Sequence, residues 1–319
     1  MDVPLLFLFT LIVFVLWIII KRPGQQSQPS RRSTTPVQVQ PTEENESREM
    51  IEAFLVLDVE ATCVPNGGFE EPNEIIEWPV ILLIWDKKAQ DASSKRLVVK
   101  DTFHSYCRPI LRPTLHPFCT ELTGITQEQV DQAPTFPEVL SLCKGFLVKN
   151  GIIDQQGKAL KNYAWCTDGP WDLRDFLQKQ VFISQIGRPS WLRLHRIIDV
   201  RSAFGQWYVE QYLGRYGKKP RVCCPILLLD FLEVFTLRQN HGAFSIKPSF
   251  KLNRQLELLG LKFEGREHSG LDDSRNIARI LVELASRGIT LEPNLDVSPT
   301  RTFPWMGPNG TVATAAAAL

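Results

Sequence analysis

Two short segments, two hundred residues apart, carry residue types that fit one chemistry. The first is Phe54-Leu-Val-Leu-Asp58-Val-Glu60-Ala-Thr-Cys63, an apolar run ending in two carboxylates. The second is His268-Ser-Gly-Leu-Asp-Asp273-Ser-Arg-Asn-Ile-Ala278, an imidazole five residues ahead of a carboxylate. Residues two apart on a strand point to the same face, so Asp58 and Glu60 converge. Like charges at the end of an apolar strand are costly unless a cation neutralises them. Hard divalent cations are the natural counter-charge for oxygen ligands. Acids grouped with one histidine are what two-metal phosphodiester hydrolysis requires.

A third group of acids lies between them, in Thr167-Asp168-Gly-Pro-Trp171-Asp172-Leu-Arg-Asp175. Asp172 falls in the first turn of an expected helix, where the dipole favours a carboxylate. Asp168 sits in a Gly-Pro turn, where Asp bonds locally. Asp175 reads as solvated, and Asp172 is preferred. Asp272 and Asp273 compete, since either could cap the helix that follows. His268 lies between glycines on an expected mobile loop, as a group reaching a bound water would.

The surrounding chain must position these groups. Its 319 residues are 44% apolar, which permits a sizeable core. The net charge is only +1, but residues 179–275 hold 16 Lys or Arg against 9 Asp or Glu. A basic half carrying acids suits a polyanionic substrate. The seven cysteines form no CxxC pair, which argues against a zinc site and for reduced thiols.

Strands are expected at 52–61, 75–86 and 97–109, with a turn at 86–95. Helices follow from Thr126 and Thr135, then strand 161–166 with a helix from Trp171. Strand 196–199 with a helix from Arg201 comes next, and helices 251–259 and 273–286 close the domain. Thr126 with Gln129 forms a capping-box pattern. The order predicts an α/β fold with a mixed sheet and helices on its faces.

Residues 4–20 carry no charge and are followed by Lys21-Arg22. At 1.5 Å per residue they would reach roughly 25 Å, the short end of a bilayer span. The expected organisation is a transmembrane anchor at 1–22 and a Pro-, Gln- and Ser-rich linker at 23–47. A catalytic domain at 48–290 and a low-complexity tail at 291–319 follow. Lys21, Arg22, Arg31 and Arg32 place the domain on the cytosolic side of a single-pass membrane protein.

Residues 50–290 resemble the DEDD 3′–5′ exonucleases of the histidine subtype, and more closely the Eri family of the histone-mRNA 3′-exonuclease. The resemblance rests on Asp58–Cys63, Asn73-Glu-Ile-Ile-Glu-Trp-Pro79, Leu122-Thr-Gly-Ile-Thr126, Thr167–Asp172 and His268–Ala278. It implies an RNase H-like, mixed five-stranded sheet flanked by helices. It implies two Mg²⁺ ions, replaceable by Mn²⁺, on Asp58, Glu60, Asp172 and Asp273, with Glu60 acting alongside His268, the general base. Ala61, Phe118, Trp171 and His268 are then the substrate contacts, the two aromatic rings clamping the terminal base. The implied substrate is RNA with a single-stranded 3′ end, released as 5′-mononucleotides. Single-stranded DNA cleavage and a silent RNA-binding scaffold are the alternatives. Two departures stand out. The 1–47 and 291–319 segments are expected to hold no accessory nucleic-acid-binding domain of the kind the histone-mRNA enzyme carries, so specific stem-loop recognition is not expected. The chain also carries an insert at about 210–248, whose Arg215, Lys218, Lys219 and Arg221 would widen a channel or decorate a surface helix.

Overall fold

The computed structural model describes residues 50–86, 96–216, 235–240, 243–248 and 250–312, and the side chains among these except those of 212–248. The expected anchor and linker, the 87–95 turn and most of the insert lie outside the described residues. Among the described residues no helix is long and apolar enough to cross a membrane.

Residues Arg48–Leu319 form one compact unit. Its centre is a mixed sheet. Strand β1 (Ala53–Val56) pairs antiparallel with β3 (Ile75–Trp85), and β3 pairs antiparallel with β4 (Leu97–Tyr106). On its other side β1 runs parallel to β5 (Tyr163–Thr167), and β5 parallel to β6 (Ile197–Asp199). The expected single strand 52–61 is interrupted. The chain leaves the ladder at Leu57–Val59 and rejoins β3 as the two-residue β2 (Glu60–Ala61), with a register shift between its residues. The sheet therefore has six strands rather than five, and Asp58 sits in the break.

Helices α1 (Pro117–Thr123), α2 (Gln127–Asp131) and α3 (Phe136–Lys149) follow β4. The Thr126 cap forms as expected, with a capping box to Gln129, and at Thr135 the backbone N–H and the hydroxyl both donate to Glu138 Oε2 at 2.7 Å. After β5, a helical stretch with wide i→i+5 turns, Asp172–Phe176, runs into α4 (Leu177–Ile183). Then come α5 (Val200–Tyr216), α6 (Leu252–Leu259) and α7 (Gly270–Ser286). Within the insert, β7 (Phe235–Asn240) and β8 (Ala243–Pro248) pair as a separate hairpin.

Alternation along β1 builds the core on both faces of the sheet. Ala53, Leu55 and Leu57 pack with Trp78, Trp165, Phe136 and Leu177 on one face. Phe54 and Val56 pack with Phe204, Ile277 and Leu281 on the other. Helices on both sides explain why β1 and most of β3 are apolar throughout rather than alternating. The four cysteines at 107, 119, 143 and 166 are buried and unbridged, as reduced thiols would be, and Cys63 is half-buried.

The segment after residue 290 is not a loose appendage. Leu295 bridges β6 at Ile197, and Val297 N–H donates to Leu194 O at 2.8 Å. Phe303 and Trp305 are buried against Ile183. Their rings supply the apolar area that the small residues around them lack, and this docks the segment.

Candidate active site

Carboxylate oxygens of Asp58, Glu60 and Asp273 lie within 4.8 Å of one another. The break after β1 carries Asp58, and β2 carries Glu60 from the edge of β3. Helix α7 carries Asp273 in its first turn, where the residue is buried. The helix starts three residues earlier than expected, with Ser269 at its N-cap position, so neither aspartate is the cap. Asp272 turns outward to Arg266 N–H and to Arg275 at 2.9 Å, which leaves Asp273 to face the cleft.

Asp172 completes the group from the wide-turn stretch. Its Oδ1 accepts the Val59 N–H at 2.9 Å, which ties the helix to the strand break between the two other acids. Such widened turns occur at functional sites because they re-aim side chains. Asp168 points elsewhere, into a salt bridge with Arg201 and a 2.6 Å hydrogen bond from Gln255 Nε2. Asp175, expected to be solvated, is fully buried between Arg174 and Arg301.

No lysine or arginine pairs with Asp58, Glu60, Asp172 or Asp273 among the described residues. Burial, then repulsion from Asp172, Asp273 and Glu60, holds the Asp58 carboxyl well above the usual range. Burial, then Asp273, does the same to Glu60. Burial raises Asp172 and Asp273 each to about 7, although backbone N–H groups oppose the rise. Crowded, desolvated carboxylates with no ion-pair partner among the described residues are a donor set suited to divalent cations with a preference for oxygen.

His268 stands at the cleft, exposed, in the turn before α7. Its φ of +62° is unusual for a non-glycine residue and marks local strain. The loop expected to be mobile is anchored. Ser269 N–H donates to Arg266 O, and the Arg266 side chain reaches the Glu121 and Leu122 carbonyls.

Four supports went unread in the sequence. Glu77, buried in β3, accepts the Gly270 and Leu271 N–H groups at 2.9 and 3.2 Å, so a carboxylate holds the N-terminus of the helix bearing Asp273. His104 on β4 holds Glu77 in turn at 2.8 Å. Gly270 permits this approach, since a Cβ there would lie 2.7 Å from Asp58 O and 3.1 Å from Glu77 Oε2. Arg201 lies in the cleft wall with its guanidinium 4.8 Å from the Trp171 ring centre. Trp171 covers Gly169, whose φ is +107° and whose absent Cβ would fall 2.1 Å from the ring. Glu77 lies within a run the resemblance marked, yet an acid inside an apolar strand gives no cue to a helix cap.

The structure brings Asp58, Glu60, Ala61, Trp171, Asp172, His268 and Asp273 to one cleft. It does not bring Phe118 with them. Phe118, in the first turn of α1 and 36% exposed, lines an adjoining hollow with Phe263 and Arg266, and Leu122 borders both. The expected clamp of Phe118 and Trp171 is thus not closed across the cleft itself.

A compact acid cluster at the broken end of a central strand, inside a mixed sheet flanked by helices, defines a nuclease-like α/β hydrolase site. The exonuclease family model, RNase_T, matches residues 55–206. The 3′-5′ exonuclease eri1 of Schizosaccharomyces pombe is 34% identical over 265 residues, 78% of this chain and 73% of the relative. The human 3′-5′ exoribonuclease 1 is 33% identical over 252 residues, 79% of this chain but 58% of its own length. The solved nuclease domain of 3′hExo, a DEDDh family member bound to rAMP, superimposes with a TM-score of 0.57. It is 32% identical and covers 78% of this chain and 98% of that one. The chain belongs to the Eri family of 3′–5′ exonucleases, as its motifs implied. It spans little more than half the length of the mammalian curated relatives it matches.

Proposed function

We propose that this chain removes nucleotides one at a time from single-stranded 3′ ends of RNA and releases 5′-mononucleotides. The carrying observation is the convergence of Asp58, Glu60 and Asp273 within 4.8 Å, with Asp172 beside them and no basic partner among the described residues. Those four carboxylates would hold two divalent cations, Mg²⁺ with Mn²⁺ as a substitute. When bound, the cations supply Lewis acidity and charge neutralisation to the scissile phosphodiester. A ring nitrogen of His268 takes the proton of the attacking water, for which its exposed place at the cleft leaves it free. Trp171, backed by Arg201, stacks on the terminal base, and the Ala61 backbone lines the nucleotide site. Phe118 reaches the substrate from the adjoining hollow. RNA is favoured over DNA because relatives that match over most of the chain are named exoribonucleases.

Two expectations follow. His268→Ala lowers kcat on RNA about 10²–10⁴-fold, the range of general-base catalysis, while RNA affinity shifts less than about threefold. Retained kcat would remove His268 from the base role. Matched RNA and DNA 3′ overhangs separate the substrate readings, and faster trimming of DNA would favour the single-stranded DNA reading. Trimming of neither would leave the silent scaffold.

The uncharged run 4–20 and the basic pairs after it support a tether that keeps the domain at the cytosolic face of a membrane. Full-length protein is expected to resist alkaline carbonate extraction, and protease added to intact vesicles is expected to degrade the domain. Extraction by carbonate would exclude insertion, and protection from protease would place the domain in a lumen.

A further inference from the structure

The loop from Val64 to Asn73 forms one wall of the acid-bearing cleft, through Gly67, Gly68, Phe69 and Asn73. The loop is tied down at nearly every step. Gly67 N–H donates to Val64 O, and Gly68 N–H to Glu71 Oε1. Glu71 pairs with Arg112 at 3.0 Å, and Glu70 with Arg301 at 2.6 Å. Trp305 Nε1 donates to Glu70 O at 2.7 Å. Beneath the loop, the fully buried Lys179 donates to the Phe69 carbonyl and to Asn73 Oδ1. Its ammonium lies 4.4, 5.2 and 4.9 Å from the ring centres of Phe69, Phe176 and Phe303. Arg301 also grips the buried Asp175 at 2.6 Å. Burying a lysine is costly unless its protons find acceptors, and here those acceptors belong to the loop.

The ties from Arg301, Phe303 and Trp305 come from a segment beyond the region matched by the exonuclease family model. None of them touches an acid of the cluster. Arg301 and Trp305 hold Glu70, the residue after Phe69, and the Arg301 guanidinium lies 5.8 Å from the Phe69 ring centre. Phe69 is 38% exposed and packs edge-on to Phe176, with centroids 5.5 Å apart. Phe176 lies five residues after Trp171, in the stretch whose hydrogen bonds run i→i+5. Both rings line the cleft, one widened turn apart on one helix.

Accepting the 3′-exonuclease reading, we propose that Phe69 is a second stacking position, for the base next to the 3′-terminal one. The Arg301–Trp305 segment is the brace that holds it there. A strand whose last base meets Trp171 carries its preceding base along the helix to the Phe69–Phe176 pair. Stacking of this kind tolerates any base.

The test uses the full chain and two substrates, a single-stranded RNA octanucleotide and the p-nitrophenyl ester of a nucleoside 5′-monophosphate. The ester fills the terminal position and carries a p-nitrophenyl leaving group in place of the preceding nucleotide, so it lacks the preceding base. Octanucleotide affinity is also read by fluorescence anisotropy in EDTA, which does not require turnover. Phe69→Ala is expected to raise KM and Kd for the octanucleotide about tenfold, the scale of one lost stack. This loss should exceed any loss on the ester at least fivefold. Phe69→Trp should restore affinity, and Arg301→Ala should weaken octanucleotide binding at least threefold, with recovery in Arg301→Lys. Combining Arg301→Ala with Phe69→Ala should add little beyond Phe69→Ala alone. An unchanged octanucleotide Kd in Phe69→Ala, or equal losses on both substrates, would overturn the stacking position. A chain that hydrolyses neither substrate, yet binds the octanucleotide in a Phe69-dependent way, would overturn the exonuclease reading and uphold the stacking position.

Discussion

Asp58→Asn is expected to lower kcat on RNA by roughly 10³-fold or more, and at the same time to raise the melting temperature of the metal-free protein. The two effects share one cause. Asp58 sits where burial and four neighbouring carboxylates, Asp172, Asp273, Glu60 and Asp168, all oppose its charge. The amide removes that opposition and also removes a ligand from the centre of the cluster. Losing one element of a preorganised charge site costs several kcal/mol of barrier. The same loss of activity is expected for Glu60→Gln, Asp172→Asn and Asp273→Asn, and Asp168→Asn should cost far less. Kinetics and calorimetry on the same preparations check both halves. Full activity in Asp172→Asn with loss in Asp168→Asn would show that the wrong aspartate has been assigned.

A second large effect concerns pH in the absence of metal. A carboxyl whose pKa is raised by folding favours the folded state while protonated and opposes it once ionised. Asp172 and Asp273 are raised from 3.8 to about 7, and Asp58 and Glu60 are raised as well. The contribution of Asp172 and Asp273 is therefore complete below pH 3.8 and is lost as pH rises through about 7. In EDTA, the melting temperature of Asp58→Asn should match wild type below pH 3.8 and exceed it by roughly 5–10 °C at pH 8. Adding Mg²⁺ or Mn²⁺ at pH 8 should raise the wild-type melting temperature more than at pH 5, because the cations bind ionised carboxylates. Equal metal-induced shifts at both pH values would contradict a metal site on these acids.

Much of the site was legible because its acids sit at the ends of elements that advertise themselves. The apolar run into Asp58 and the polar-to-helical switch after His268 are local patterns, and both acids fall at their edges. Asp172 was separable from Asp168 by the dipole argument, and the structure places Asp172 at the cluster while Asp168 is held by Arg201 and Gln255. The break at Leu57–Val59 was not legible, since an apolar run that ends in acids gives no sign of where the ladder parts. Glu77 was missed because its partners are the backbone N–H groups of a helix 193 residues away. Asp175 and Arg301 were missed for a related reason. A lone arginine among Ser, Pro and Thr with no helical or strand pattern reads as solvated until the fold brings a buried aspartate 126 residues distant to it. Phe118 shows a different limit, for a motif fixed its place in sequence but not which hollow its ring enters.

The central claim is that the acid cluster hydrolyses the terminal phosphodiester at a 3′ end. Its most direct test is a product analysis of single-stranded RNA labelled at the 5′ end, incubated with the purified chain and Mg²⁺. A ladder shortened one nucleotide at a time, with release of 5′-mononucleotides and complete arrest by EDTA or by Asp58→Asn, is the predicted result. Internal cuts, mononucleotides carrying a 3′-phosphate, or undiminished trimming by Asp58→Asn would contradict it.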